Sequence, residues 1–223
     1  MRLGWSAVAV LACSLSVQVA SADSFSFTGT FTQDDQLEVF LFTAPSASVV
    51  VQTLGYAGGT NAAGDAISAG GFDPVLSVFD ATGGLVSSSL LIATVDDGAG
   101  VATDPSTGSA FDSLIDLSGL DAGGTYALVL SEYDNIPNGP DYAGGFTQTG
   151  NGDFTASEFP CGGIAFCDAN LAQRTGDWAV DITGVRSATD ITNGSAVPEP
   201  RSTLLLAAAI AGLALFRRRS KIA

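Results

Sequence analysis

The chain has 223 residues, of which 23 are acidic, eight are basic and none is histidine, and its formal net charge is −15. Without histidine, Ser-His-Asp and Cys-His catalysis and histidine-ligated metal sites are excluded. The acidic balance also repels nucleic acid, so no nucleic-acid partner is expected.

The first 22 residues have the pattern of a secretory signal peptide. Arg2 supplies the positive start, residues 5–12 are largely apolar, and Ala20-Ser21-Ala22 is an A-x-A cleavage site. We predict cleavage between Ala22 and Asp23. A lipoprotein signal ending at Cys13 is the alternative, but Leu11 is bulkier than the small residue usual at its position in such a signal. Either signal directs the protein to export.

Residues 23–196 are predicted to form one domain, with 22 acidic and two basic residues and a net charge of −20. Apolar residues alternate with polar ones in short runs between turns rich in Gly, Asp and Asn, which is typical of half-buried strands. No run shows a helical apolar stripe. The pattern predicts an all-β fold, a single jelly-roll-type β-sandwich of about eight strands. The predicted strands are 25–31, 37–42, 49–54, 75–79, 85–95, 114–117, 126–133 and 178–185.

Two long segments, 56–72 and 135–176, lack the strand pattern. The second contains Cys161 and Cys167, separated by five residues that include two glycines. An exported protein reaches an oxidising compartment, so a disulfide between these cysteines is expected. A Cys pair without histidine or further cysteine is a poor zinc site.

Acidic residues in the turns offer a possible calcium site. Ca²⁺ takes six to eight oxygen ligands, and Asp96-Asp97-Gly98 places two adjacent carboxylates beside a residue that lets the backbone bend. Asp73 and Asp112 each precede a predicted strand by two residues, and such loops can converge at one end of a sandwich. The alternative is that these four aspartates cap turns through hydrogen bonds to nearby backbone N–H groups.

The order of the strand and turn motifs resembles the bacterial pre-peptidase C-terminal domain. The motifs are GFDPVLSVFD at 71–80, DDG at 96–98, DSLI at 112–115 and LDAGGTYALVL at 120–130. The resemblance covers about residues 25–134, with 177–185 as a plausible last strand. It implies a small jelly roll, and some members of that family bind calcium at comparable loops.

Aromatic residues raise the question of carbohydrate binding. Trp178 and Tyr126 lie in strand patterns and are predicted to be core residues. Tyr142 and Phe146 lie in a Gly-rich loop and are the better candidates for contact with a sugar.

The last 27 residues carry a sorting pattern. Val197-Pro198-Glu199-Pro200 precedes an uncharged span at 204–216, and Arg217, Arg218 and Arg219 follow it. As a helix the span is about 20 Å long, shorter than a bilayer core of about 30 Å. The arginines would keep their end of the span cytoplasmic and leave the domain facing outward.

This tail resembles the PEP-CTERM sorting signal of Gram-negative bacteria. The resemblance implies processing near the motif by an exosortase, a membrane cysteine protease. The protein would be anchored in the inner membrane only before processing, and would then reach a cell surface rich in exopolysaccharide. It divides residues 197–223 into the motif region 197–203, the transmembrane span 204–216 and the basic tail 217–223.

The sequence therefore predicts an exported, non-enzymatic protein of the cell surface or extracellular matrix. It contains no G-x-S-x-G elbow, P-loop or dinucleotide fingerprint. A chance pair of carboxylates is expected among 22 acids, so such a pair says little about glycosidase chemistry. A secreted carbohydrate-active hydrolase and a calcium-dependent carbohydrate-binding module remain as alternatives.

Overall fold

The computed structural model describes residues 22–45 and 48–192. The body of the signal peptide, the sorting motif, the span at 204–216 and the arginine cluster lie outside these residues, so the expectations for them stay predictions. Within the described part of the chain, no helix has the length and apolar character needed to cross a membrane.

The described residues form two antiparallel sheets and a small hairpin. The four-stranded sheet has the order β1-β10-β3-β8, the five-stranded sheet has the order β11-β2-β9-β6-β7, and β4 pairs with β5. A 3-10 helix at Tyr142–Gly144 and a helix α1 at Phe154–Glu158 lie between β9 and β10. The strands are β1 Asp23–Thr30, β2 Glu38–Thr43, β3 Val49–Thr53, β4 Gly59–Thr60, β5 Ala66–Ile67, β6 Pro74–Asp80, β7 Leu91–Asp96, β8 Leu114–Leu117, β9 Thr125–Glu132, β10 Asp177–Val185 and β11 Ser187–Asp190.

The two sheets pack face to face around an aromatic core. Alternate residues of each strand point inward, so Phe25 and Phe27 of β1 are buried while their neighbours are partly exposed. Phe27 meets Phe40 of the opposite sheet with 4.8 Å between ring centroids, and Trp178 meets Phe40 edge-on at 5.8 Å. This arrangement confirms the all-β, sandwich-like prediction.

A second apolar layer covers the outer face of the five-stranded sheet. Phe146, in the segment after β9, is 3% exposed and packs with Phe79, Ala127 and Val129. Tyr142 adds an edge-on contact to Phe79 at 5.4 Å. The sugar contact considered for Phe146 is therefore wrong, because its ring is used in packing. Strands β6 and β9 are consequently buried on both faces.

The eight predicted strand regions all contain a strand, with some differences at the ends. Residues 85–89 form a turn and Leu90 an isolated bridge to Asp141, so the predicted strand 85–95 begins only at Leu91, and it runs one residue further, to Asp96. The hairpin β4–β5 and the short strand β11 were not predicted, because two to four polar or small residues give no readable alternation. The predicted disulfide is confirmed, with Cys161 and Cys167 sulfurs 2.02 Å apart.

Candidate metal centre

Three of the four aspartates proposed for calcium come together in the structure. Asp73, Asp96 and Asp97 each offer a carboxylate oxygen, and these oxygens lie within 4.8 Å of one another. The sheet register explains the convergence: β6 and β7 are antiparallel, and Val75 near the start of β6 pairs with Asp96 at the end of β7. Asp73 precedes β6 by one residue and Asp97 follows β7, so all three carboxylates gather at one end of this strand pair.

Local backbone conformation fixes the turn that carries Asp97. Its φ is 65°, in the left-handed region that Asp tolerates better than most residues. The Asp97 carbonyl accepts a hydrogen bond from the Leu114 N–H at 3.2 Å. Gly98 also lies close against Leu114. A Cβ added at Gly98 would be 2.6 Å from the Leu114 backbone nitrogen, so only glycine fits there. The turn is thereby anchored to β8 of the opposite sheet.

Burial makes the site electrostatically unfavourable for unbalanced carboxylates. Asp73 is 4% exposed, and its Oδ1 is buried without a hydrogen-bond partner among the described residues. The same holds for Oδ1 of Asp97. Burial, with the charges of Asp96 and Asp97, raises the pKa of Asp73 to about 9. Desolvation, with the charge of Asp97, also raises the pKa of Asp96 to about 6, although the residue as a whole is exposed.

A fourth carboxyl group lies beside this cluster and was missed in the sequence. Glu132 pairs with Pro74 across β9 and β6, is 1% exposed and has an Oε2 without a partner among the described residues. Burial is the main reason that its pKa lies well above the ordinary value, and the charge of Asp73 is the next. The sequence did contain one indication of its burial. Glu132 lies two residues after Leu130, so it continues the inward alternation of Leu128 and Leu130 along β9.

Asp112 does not belong to the group of three. Its Oδ1 accepts hydrogen bonds from Thr53 Oγ1 at 2.8 Å and from the Tyr56 N–H at 3.2 Å, and its Oδ2 accepts one from the Ala57 N–H at 2.9 Å. These bonds tie the chain after β3 to the start of β8. For this residue the turn-stabilising alternative describes the geometry better than metal ligation.

A buried cation balances a different set of acids. Arg174 is 5% exposed and donates to Asp104 Oδ2 at 2.7 Å, to the Tyr56 carbonyl at 2.7 Å and to the Gly71 carbonyl at 2.9 Å. Its guanidinium carbon lies 3.8 Å from the Tyr56 ring centroid. The bonds from Arg174 and Ser106 hold the pKa of Asp104 down at about 2, against the effect of burial. The hydrogen bonds of Arg174 therefore go to groups other than Asp73, Asp96 and Asp97.

The donor set of the cluster fits a hard cation. All three groups are carboxylates, one buried, one partly buried and one exposed, so a bound ion could keep water ligands on the Asp96 side. The two cysteines of the described domain are joined in the disulfide and the chain has no histidine, so the nitrogen and sulfur ligands that favour zinc are missing. An oxygen-only donor set of this kind is one that hard divalent cations such as calcium take. Comparison with protein-family models, curated proteins and solved structures finds no significant match.

Proposed function

We propose that the protein is an exported, non-enzymatic component of the cell surface or extracellular matrix, and that its β-sandwich binds one calcium ion at Asp73, Asp96 and Asp97. The observation that carries the calcium site is Asp73 itself. Its carboxylate is buried and lies close to two further carboxylates, and one of its oxygens has no hydrogen-bond partner within residues 22–45 and 48–192. A divalent cation supplies the missing partner and removes the repulsion among the three charges.

Calcium at this position has a structural role. The ligands come from the start of β6 and the end of β7, and the turn at Asp97 is bonded to Leu114 of β8. The ion would therefore fasten the edge strand β7 to its neighbour and to the opposite sheet. Such a site suits a protein that works outside the cell, where calcium concentrations are high enough to fill the weak sites of extracellular modules, whose Kd is about 10⁻⁴–10⁻³ M.

The proposed route to the surface rests on the two chain ends. The signal peptide would direct export, the span at 204–216 would hold the chain in the inner membrane, and an exosortase would process it near Val197-Pro198-Glu199-Pro200. Apart from the β6–β7 pair and the β4–β5 hairpin, successive strands alternate between the two sheets, which supports the jelly-roll type of sandwich and the resemblance to the pre-peptidase C-terminal domain.

Thermal unfolding tests the calcium site. Protein stripped of metal should melt several degrees higher in about 10 mM Ca²⁺. For a Kd of about 10⁻⁴ M this is about 100 times the Kd, which adds about 2.7 kcal/mol to the free energy of unfolding. Asp96→Asn with Asp97→Asn should abolish this shift. Asp116→Asn, an exposed carboxylate on β8, is the matched control and should keep it. Equal shifts in the double variant and the control would sink the proposal.

The mass of the protein recovered from producing cells tests the sorting proposal. A mature chain that begins at Asp23 and ends near Pro198 is expected. A chain that retains residues 204–223 in all fractions would make the tail a permanent anchor and contradict exosortase processing.

A further inference from the structure

A cavity of about 360 Å³ lies between the β4–β5 hairpin and the neighbouring ends of β1 and β10. Its volume is in the range of small-molecule sites. None of the residues that line it belongs to the Asp73 cluster. The cavity is therefore a second feature, with its own chemistry.

Glycine backbone fixes the shape of the cavity. The Gly71 N–H donates to the Gly55 carbonyl at 2.9 Å, and a Cβ on Gly71 would lie 2.2 Å from the carbonyl oxygen of Asp177. The Thr175 N–H donates to the Gly70 carbonyl at 2.9 Å. Three chain segments thus approach more closely than side chains would allow, so the cavity wall is pre-formed and binding would cost little ordering.

The polar part of the wall is centred on one exposed carboxylate. Asp177 Oδ1 accepts a hydrogen bond from Thr30 Oγ1 at 2.7 Å, and Oδ2 accepts one from Thr175 Oγ1 at 3.0 Å. Each hydroxyl has a single proton, and both protons are directed into the protein. The Thr175 hydroxyl also accepts a hydrogen bond from the Asp177 N–H at 3.3 Å. The acceptor capacity left for a ligand therefore lies mainly on the exposed Asp177 carboxylate.

A donor-rich ligand without negative charge complements this wall. No basic residue is among those that line the cavity, and the surrounding domain has a net charge of −20, so anionic ligands are repelled. Ala66, Ile67 and Ala69 add an apolar side. A sugar ring matches both the polar and the apolar part of this wall. Its adjacent hydroxyls can donate hydrogen bonds to the two oxygens of a carboxylate, and its C–H face can cover small apolar side chains.

We propose that this cavity binds a neutral hexose residue of a polysaccharide, with Asp177 accepting hydrogen bonds from two adjacent hydroxyls. The inference deepens the proposed role at a polysaccharide-rich surface and rests on it for the biological setting. It does not depend on calcium, because the cavity and the Asp73 cluster share no residue.

The nearby tryptophan provides a readout. Trp178 also lines the cavity, and a Cβ on Gly29 would lie 2.3 Å from Cζ2 of its ring. Its Nε1 is buried and finds no hydrogen-bond partner in the described residues. The chain has two tryptophans, so Trp5→Phe leaves Trp178 as the only tryptophan, whose emission can be excited selectively.

The experiment titrates the full chain carrying Trp5→Phe, in mild detergent, with neutral gluco-, manno- and galacto-trisaccharides. A trigalacturonate and an alkylammonium salt are the comparison probes, and each titration is done in EDTA and in calcium. Saturable fluorescence change with at least one neutral trisaccharide is expected in both conditions. Asp177→Asn should weaken this binding at least tenfold, whereas Asp116→Asn on the same sheet should leave it unchanged. Ala66→Phe, which fills the cavity from an exposed position, guards against a folding defect in Asp177→Asn and should also weaken binding.

Three results would overturn the inference. They are no saturable binding of any neutral probe up to tens of millimolar, unchanged binding in both Asp177→Asn and Ala66→Phe, or tighter binding of the ammonium or the acidic probe than of every neutral one. Binding that persists in EDTA while the calcium-dependent melting shift is absent would disprove the metal site alone. Loss of saccharide binding with an intact calcium shift would disprove this site alone.

Discussion

At the scale of single residues, buried charge dominates this domain. Nine acidic side chains are buried in the described residues, against one buried base, Arg174. An isolated buried carboxylate is costly unless it is hydrogen-bonded, paired or protonated. Asp112 is satisfied by backbone and hydroxyl donors and Asp104 by Arg174, whereas Asp73 and Glu132 each have an oxygen without a partner in the described part of the chain. Both groups therefore favour the protonated form, and at Asp73 a bound cation could take the place of the proton.

Arg174 is predicted to be the most sensitive single position of the loop region. Arg174→Ala leaves Asp104 buried without its ion-pair partner and frees the carbonyls of Tyr56 and Gly71, so we expect the free energy of unfolding to fall by about 3–5 kcal/mol. Urea unfolding measures this loss. Arg186→Ala, the other basic residue of the described chain and an exposed one, should change it by less than about 0.5 kcal/mol. Similar effects of the two substitutions would contradict the assigned role.

The metal-free protein should become less stable as the pH rises. The pKa of Asp73 is raised from 3.8 to about 9 in the folded state, so the unfolded chain loses this proton first. Between about pH 4 and pH 9 the folded state binds more protons, and the free energy of unfolding falls as the pH increases. Asp96, with a pKa of about 6, adds to the fall in the lower part of this window.

Urea unfolding in the absence of metal, at about pH 5, 7 and 9, measures this dependence. Asp73→Asn should flatten the profile, and saturating calcium should do so in the unmodified protein. Asp104 acts in the opposite sense: its pKa is lowered to about 2, so its contribution is present above about pH 4 and is lost on further acidification. A metal-free profile that rises from pH 5 to pH 9 would contradict the electrostatics described for Asp73.

At the scale of elements, the segment between β9 and β10 is held by aromatic anchors and by the disulfide. Phe146 packs on the outer face of the five-stranded sheet, and Phe166 stacks on Phe72 with 5.8 Å between ring centroids. Cys167, joined to Cys161, is 1% exposed and follows Phe166 directly. The segment is thus part of the packed fold, although it contains little regular structure.

Phe146→Ala is predicted to release part of this segment. Removing a buried phenylalanine costs about 3–5 kcal/mol, and most of the lost contacts are to Phe79, Ala127 and Val129. Hydrogen exchange should show reduced protection of residues 136–149, while amides of β1, β3 and β10 stay protected. Ile164→Ala is the control, because that side chain is 75% exposed and its loss should cost less than about 0.5 kcal/mol. Equal protection in the two variants would show that Phe146 is no anchor.

At the scale of the whole molecule, the net charge of the domain opposes compactness. Residues 23–196 carry a net charge of −20, and Arg186 is the one exposed base of the described chain. Charges of one sign repel one another over distances of about 10 Å at 0.1 M salt. The folded state holds these charges closer together than the unfolded chain does.

The melting temperature of the metal-free protein should therefore rise when NaCl is increased from about 10 mM to about 500 mM. At matched ionic strength, calcium should raise it further and magnesium less, since Mg²⁺ keeps its own water ligands more firmly. Scanning calorimetry separates general screening from binding in this way. A melting temperature that falls with NaCl would rule out repulsion as a significant term.

The sequence by itself determined the strand pattern, because alternation of apolar residues in runs such as Phe25, Phe27 and Phe31 has one structural solution. It also determined the disulfide, since Cys161 and Cys167 are the only cysteines of the predicted domain and a short loop keeps them near each other. It could group Asp96 with Asp97, which are adjacent. The sequence could link Asp73 to this pair only through the order of the strand and turn motifs along the chain.

The tertiary structure alone decided which distant residues share an environment. The β6–β7 register brings Asp73 to Asp96 and Asp97, whereas Asp112 turns to the backbone after β3. Packing in the second apolar layer decided that Phe146 is buried, and the approach of Gly55, Gly71 and Asp177 created the cavity at Trp178. A local sequence pattern indicates the kind of environment that a residue is suited to. Which partner it meets depends on pairings between residues that are distant in the chain, and only the folded chain fixes those.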